Sequence, residues 1–134
     1  MCDLKKGSVY DGQKDNTPSG LIKHLRFVIS DFIYDDIMNA ECAFVVNMTS
    51  AHDLPTQDNS CILYEADHPS IEHKSYISYQ NAQRLEKSYI LSKIESGEFV
   101  LKEEMSPELL KKIQEGANIS DDTPKFIEMY KGAF

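Results

Sequence analysis

The clearest strand in the sequence is AFVVNMTS, residues 43 to 50. Its first four residues form an uninterrupted apolar run, which is typical of a strand that is buried on both faces. Between this segment and Tyr79 lie three of the chain's four histidines, His52, His68 and His73. We therefore expect the side chains that can do chemistry to collect around this strand.

The length and composition indicate one globular domain. With 134 residues, 41% of them hydrophobic and 27% charged, the chain can bury roughly two-thirds of its unfolded surface without a disulfide or a metal. No apolar run approaches the roughly 20 residues of a membrane helix, and the start MCDLKK has no apolar signal core, so we expect a cytoplasmic protein without membrane contact. No CxxC pair occurs, which fits reduced thiols, and we interpret Cys42 and Cys61 as small buried hydrophobic residues.

The net charge of −8 is unevenly distributed along the chain. Residues 1 to 30 contain five Lys or Arg and three acidic residues, whereas residues 31 to 60 contain six acidic residues and no Lys or Arg. Binding to long duplex nucleic acid needs a basic face, which this distribution does not provide, so a short single strand is the nucleic acid left open. The acidic stretch 31 to 41 is a solvated face, or a surface that repels RNA or mimics it for a basic partner.

Hydrophobic periodicity and turn residues predict a mostly β protein that ends in helices. Ser106-Pro107-Glu108 is a typical helix start and leads to a helix that stops near Gly116, and Asp122-Thr123-Pro124 repeats the signal. Ser88 is expected to cap an earlier helix that runs to about Glu95. The predicted strands are 6 to 10, 25 to 30, 42 to 50, 60 to 64, 75 to 79 and 99 to 101, with loops at 11 to 20 and 51 to 59 and a turn or short helix at 31 to 41.

Five short segments carry a resemblance to a known family: KGSVY at 6 to 10, HLRFVIS at 24 to 30, VVNMTS at 45 to 50, SYI at 75 to 77 and RL at 84 to 85. In this order they resemble the MazF/PemK family of toxin-antitoxin ribonucleases. The resemblance implies an α+β, mostly β fold with a small SH3-like antiparallel barrel, which covers about residues 5 to 101. It also implies a homodimer, cleavage of single-stranded RNA without a metal, and an antitoxin or other protein partner. The helices from about 106 to 133 lie outside the family's usual length and indicate a distinct branch.

The resemblance also implies site residues, position by position. In the family an arginine followed by proline usually opens the second strand; here His24 stands at that place, without the proline, and Arg26 comes two positions later. The family's Thr or Ser after the central strand matches Thr49 and Ser50, and its later serine matches Ser75.

Cleavage of RNA by its own 2'-hydroxyl requires a base for the hydroxyl proton, an acid for the leaving oxygen, and donors or a cation for the phosphorane. Histidine suits both proton transfers, since its ordinary pKa of about 6.5 lies near neutral pH. In this interpretation His24 and Arg26 are the acid-base and phosphate-binding groups, and Thr49 and Ser50 donate hydroxyl hydrogen bonds within the same catalytic cleft. Alternatively, Thr49 and Ser50 simply end a strand and His24 is a solvated loop residue.

A second group of side chains has two interpretations. His, Asp and Cys are ligands of zinc, but their spacing here fits no established zinc pattern, so we expect no metal and no cofactor. Instead we expect contact with substrate from His52, His68, His73, Ser75 and Tyr76, with ordering of the loops as the alternative role of His68 and His73. The zinc interpretation would use His52, Asp53, Asp58, Cys61, His68 and His73.

The tyrosines Tyr64, Tyr76 and Tyr79 allow two interpretations as well. They could stack on unpaired bases, a contact worth about 1 to 3 kcal/mol each, or they are ordinary half-buried strand residues.

Two function classes follow, and a third is weaker. The first is a toxin-like endoribonuclease, which the Thr49-Ser50 match and the histidines favour. The second is a catalytically silent barrel that binds a protein partner through the C-terminal helices and the acidic face, which the net charge and the missing arginine-proline pair favour. The third is a metal-dependent hydrolase.

Overall fold

A computed structural model describes residues 3–13, 23–51 and 57–134, with only the backbone of Gln13, Lys23 and His24. Over these residues the chain is α+β, with eight mostly antiparallel strands and three helices in three layers. None of the helices in these ranges is long and apolar enough to cross a membrane. The strands are β1 (Val9–Gln13), β2 (Lys23–Val28), β3 (Ile33–Asp35), β4 (Ala40–Ser50), β5 (Ile62–Leu63), β6 (Ser75–Ile77), β7 (Gln83–Glu86) and β8 (Phe99–Leu101), and the helices are α1 (Lys87–Glu95), α2 (Pro107–Ile119) and α3 (Ile127–Tyr130).

Strand β4 is the centre of the sheet because four other strands pair with it. Cys42 pairs with both Ile33 of β3 and Glu86 of β7. Farther along β4, β2 pairs on the β3 side, and β6 pairs on the β7 side. The sheet then continues from β2 to β1 and β8, and from β6 to β5. These pairings leave β5 and β8 as edges, so the described strands do not close into a barrel.

The side chains of β4 alternate between two hydrophobic clusters, as the pleat of a strand requires. Phe44 and Val46 belong to the larger cluster, which contains residues of α2 and α3, whereas Ala43 and Val45 belong to a smaller cluster with Ile90 of α1. The sheet is therefore covered by helices on both faces. This burial on both sides explains why the apolar run of β4 is continuous.

The predicted C-terminal helices are part of the larger cluster rather than an appendage to it. Leu109, Ile113 and Ile127 pack in the same core as Phe27 and Phe44. The Ser106 cap is confirmed, since its Oγ accepts a hydrogen bond of 3.1 Å from the amide of Leu109 at the start of α2.

Several predicted elements differ from the observed ones. The acidic stretch 31 to 41 is a β-hairpin made of β3, a turn and the start of β4, not a short helix, and β7 was not expected. Ser88 does not cap α1; Glu86 is the N-cap, because β7 runs directly into the helix. Helix α2 continues past Gly116 to Ile119, and the helix after Asp122 is a single turn.

Gly116 lies within α2 at the point where the helix contacts Tyr79, which follows β6, and Cys61, which precedes β5. A Cβ at this position would clash with the Tyr79 hydroxyl and would lie 2.9 Å from Cβ of Cys61. The Tyr79 hydroxyl itself donates a hydrogen bond of 2.7 Å to the carbonyl of Ile113. The helix therefore docks closely enough that only glycine fits.

Asp35 is a fully buried carboxylate that joins three parts of the chain. Its Oδ1 accepts the backbone amides of Ile37 and Met38 at 3.0 and 3.1 Å, within the hairpin turn. Its Oδ2 accepts the Tyr130 hydroxyl at 2.8 Å and Nη1 of Arg84 at 3.4 Å. The hairpin, β7 and the C-terminal segment are thus held together by a single side chain.

The C-terminal rings complete the core around Phe44. The ring centroids of Phe126, Tyr130 and Phe134 lie 5.5, 6.2 and 6.0 Å from that of Phe44. The guanidinium of Arg84 stacks over the Phe126 ring at 4.9 Å. Residues 126–134 therefore cover the core, and the hydrogen bond from Tyr130 to Asp35 holds them there.

The Tyr130→Phe variant should be less stable than the wild-type protein. Removal of a buried hydrogen bond to a charged group costs about 1.5 to 3 kcal/mol, and Tyr130 and Asp35 are both fully buried. Urea unfolding would measure the loss as a lower midpoint. Tyr34→Phe is the matched control, because the Tyr34 hydroxyl bonds to Asn39 at the surface. Equal midpoints for Tyr130→Phe and the wild type would contradict the role given to Asp35.

The Gly116→Ala variant should also be destabilised, although alanine is the better helix former. Overpacking at a close contact costs about 1 to 3 kcal/mol, and the neighbours here are the buried Tyr79 and Cys61. Asn118→Ala, at an exposed position of the same helix, is the control and should be neutral or stabilising. A thermal melt in which Gly116→Ala matches Asn118→Ala would show that α2 docks less closely.

Candidate functional site

A pocket of about 530 Å³ lies at the end of β4, near which the sequence predicted the catalytic side chains. Thr49 and Ser50 line it from β4, Leu25 from β2 and Asp11 from β1. Its volume is within the range of about 300 to 1,000 Å³ that is typical of small-ligand sites. The remaining lining residues are Met48, Pro69, Ser70, Glu72, His73 and Lys102.

A serine and a histidine meet in this pocket. Oγ of Ser50 lies 2.7 Å from Nε2 of His73, a normal hydrogen-bond distance. With the neutral ring unprotonated at Nε2, Ser50 donates to the histidine; with a proton on Nε2, the ring donates to Ser50. The pair can therefore accept or release a proton at a defined place in the pocket, which is the requirement for general acid-base chemistry.

The sheet holds His73 in this position. Ser50 and Ser75 are cross-strand partners of β4 and β6, and His73 comes two residues before Ser75, the first residue of β6. Ser75 is fully buried, and its hydroxyl donates a hydrogen bond of 2.9 Å to the carbonyl of His73. Ser75 therefore orders the backbone of His73, which is an indirect role rather than the substrate contact expected from the sequence.

The charged groups in the pocket have mixed sign. Lys102 follows β8, where its amide donates to the carbonyl of Val9 at 2.8 Å, and this pairing brings it to the pocket. Asp11 and Glu72 also line the pocket. Among the described lining residues one cation thus stands beside two carboxylates, so the pocket offers both a partner for an anion and acceptors for amino groups.

Arg26 does not line this pocket. It follows Leu25, which does, and successive residues of a strand point to opposite faces. Its Nη1 donates a hydrogen bond of 3.3 Å to Oε1 of Gln83, and no described residue bonds to its buried Nε atom. The expected cleft is therefore divided: Thr49 and Ser50 lie at the pocket, and Arg26 lies on the other face of the sheet.

Two of the predicted site histidines, His24 and His52, have side chains outside the described part of the chain. His24 pairs with Gly12 through the backbone of β2 and β1, but its side chain is outside the described part of the chain. His52 is outside the described residues altogether. Their expected roles therefore stay predictions.

His68 is a buried structural residue. It is 2% exposed, its Nε2 lies 2.6 Å from the carbonyl of Glu103, and its Nδ1 accepts the amide of Ser70 at 3.0 Å. These partners assign the proton of a neutral ring to Nε2. The loop-ordering alternative therefore describes His68 better than a substrate contact does.

The tyrosines are spread over three environments. Tyr79 is fully buried, with its hydroxyl bonded to Ile113. Tyr64 is exposed, and the ammonium group of Lys112 lies 5.5 Å from its ring centroid. Tyr76 is half-buried and lines a second pocket of about 30 Å³, together with Asp58 and Asp122. This second pocket is too small for a base.

The described residues of the zinc interpretation have other partners, and its remaining two, His52 and Asp53, lie outside the described part of the chain. Asp58 accepts hydrogen bonds from Ser120 and Ser60, which lower its pKa despite the opposing effect of burial. Burial raises the pKa of the Cys61 thiol to about 11, so the thiol is protonated at neutral pH. Among the described residues no three His, Cys, Asp or Glu side chains come together as a metal site would require.

The sequence reasoning missed Asp11, Glu72 and Lys102. Asp11 was assigned to a loop, and Lys102 follows a strand whose pairing with β1 no local pattern reveals. Glu72, next to His73, carried a usable signal, because an acid beside a histidine in a short turn is a candidate for the same site.

In the native protein the Cys61 thiol should resist alkylation. A pKa of about 11 leaves less than about 1% of this thiol as the reactive thiolate near pH 8, and the side chain is 3% exposed. Iodoacetamide labelling followed by peptide mass mapping would measure it. Protein unfolded in urea is the control and should be labelled at Cys61; rapid labelling of the folded protein would contradict the buried position.

Comparisons with known proteins give no direct guide to function. The chain matches no protein-family model, no curated protein sequence and no solved structure. Function therefore has to be argued from the geometry of the pocket.

Proposed function

We propose that the pocket at the end of β4 cleaves single-stranded RNA without a metal, in the manner of a toxin endoribonuclease. The observation that carries this proposal is the contact of 2.7 Å between Ser50 and His73 inside a pocket that Lys102 also lines. The pocket thus combines a proton acceptor, hydroxyl donors and a cation within one cavity.

Each side chain has a defined role in the reaction. Nε2 of His73 takes the proton of the 2'-hydroxyl, whose oxygen attacks the phosphorus and forms the 2',3'-cyclic phosphate. Ser50 orients the ring before the substrate binds, and Thr49 donates to a phosphate oxygen. Lys102 stabilises the extra negative charge of the phosphorane.

The leaving 5'-oxygen needs a proton when the bond to phosphorus breaks. Solvent water can supply this proton, and the sequence resemblance implies His24 as a second candidate acid, whose side chain lies outside the described part of the chain. Arg26 takes no part in this step, because it lies on the other face of the sheet.

The proposal includes the relationship to the MazF/PemK family. It is supported by the order of the elements and by the position of Thr49 and Ser50 at the end of the central strand. On this view the open sheet is a divergent form of the SH3-like barrel. A homodimer, an antitoxin and a cytoplasmic location, where RNA is available, are parts of the same proposal.

Purified protein incubated with a mixed single-stranded RNA in EDTA should produce discrete cuts, which primer extension would map. The His73→Ala variant should cut at least about 100-fold more slowly, because it lacks the general base, and Lys102→Ala at least about tenfold more slowly. His24→Ala tests the acid. Ser92→Ala and Lys111→Ala, both at exposed positions on helices, are matched controls that should keep full activity. Cuts that persist in His73→Ala would refute the assigned site.

A catalytically silent, protein-binding module is the second candidate. The observation that favours it is the presence of Asp11 and Glu72 in the pocket, where they outnumber Lys102 and would repel phosphates. Intact RNA in the same experiment, from protein shown to be folded by circular dichroism, would favour this module over the ribonuclease.

A further inference from the structure

The turn between β3 and β4 exposes an unusual amount of apolar surface. Ile37 is 72% exposed, Tyr34 is 60% exposed and Met38 is 38% exposed. Single exposed hydrophobic residues are common on protein surfaces, but three within five consecutive residues make a patch that water solvates poorly. We call residues 34 to 39 the hairpin tip.

The hairpin tip is fixed in one conformation although it lies at the surface. Oδ1 of Asp35 accepts the amides of Ile37 and Met38, and the Tyr34 hydroxyl donates to the side chain of Asn39. Asn39 has φ = 55°, the left-handed conformation that asparagine tolerates in tight turns. The hairpin tip would therefore lose little conformational entropy when a partner binds to it.

The core holds the hairpin tip from below. The second oxygen of Asp35 accepts the hydroxyl of the buried Tyr130 at 2.8 Å and Nη1 of Arg84 at 3.4 Å. A rigid backbone that presents exposed apolar side chains is preorganised for binding, because little conformational entropy is lost when a partner covers it. This preorganisation is the reason to assign a function to the patch.

The charge around the hairpin tip specifies the partner. Asp36 and Glu41 are exposed beside the apolar side chains, the hairpin itself contains no Lys or Arg, and Arg84 beneath it is already paired with Asp35. A surface that matches it must combine an apolar stripe with flanking positive charges. An amphipathic helix with Lys or Arg on both sides of its apolar face has this pattern.

We propose that the hairpin tip is a docking surface for a basic amphipathic helix of another protein. Ile37 and Tyr34 would contact the apolar stripe of the helix, and Asp36 and Glu41 would pair with its flanking basic residues. The proposal does not depend on the ribonuclease proposal, since none of these residues lines the pocket.

Fluorescence anisotropy of a labelled model peptide would test this surface. The probe is an amphipathic helix of about 15 residues made of Leu and Lys, titrated with the full-length protein at physiological salt. Ile37→Ser should weaken binding at least about tenfold, because the central apolar contact is lost, and Asp36→Asn about threefold or more. Neither change should affect the fold, since both side chains are exposed.

Three matched variants distinguish specific docking from general attraction to an acidic protein. Ile119→Ser removes another isoleucine that is 68% exposed, and Glu95→Gln removes one exposed negative charge elsewhere. Ser50→Ala changes the pocket. All three should bind the peptide within about twofold of the wild type. Unchanged binding in Ile37→Ser, or an equal loss in Ile119→Ser, would overturn the proposal.

Discussion

The buried carboxylate of Asp35 is the interaction on which the arrangement of the molecule depends. An isolated charge is costly to bury, and this one is tolerated because both oxygens are fully used. Burial alone would raise the pKa of Asp35, but hydrogen bonds from Tyr130 and from the amides of Met38 and Ile37 lower it below its ordinary value. The group is therefore ionised at neutral pH, and loss of any one donor would leave part of that charge unsatisfied.

Much of the fold could be predicted from local patterns, and Asp35 shows why the rest could not. The apolar run of β4, the Ser106 cap and the strand at 99 to 101 are local signals, and each is present in the structure. Asp35 lies in an acidic stretch that looks solvated, because its partners Arg84 and Tyr130 are far away in sequence. For the same reason β3 and β7 were missed: they are short strands whose register is set by β4.

Sequence patterns identified some residues of the pocket but not which of them lie together. Thr49 and Ser50 end a recognisable strand, and His73 was identified as a candidate, but the bond between Ser50 and His73 spans 23 residues. No local rule brings them together; the pairing of β4 with β6 does. Lys102 reaches the pocket through the pairing of β1 with β8, which are neighbours in the sheet although one is the first described strand in sequence and the other is the last. Because successive side chains of β2 point to opposite faces of the sheet, Arg26 lies apart from this group.

The central place of β4 also bears on how the chain folds as it is synthesised. Strands β1 to β4 emerge from the ribosome first, yet one side of β4 stays unpaired until β6 and β7 have been made. The face of β4 that carries Phe44 stays uncovered for longer still, since the rings that cover Phe44 belong to residues 126–134. A nascent chain therefore carries an exposed hydrophobic strand until residues 126–134 have been made, the state in which chains aggregate or recruit chaperones.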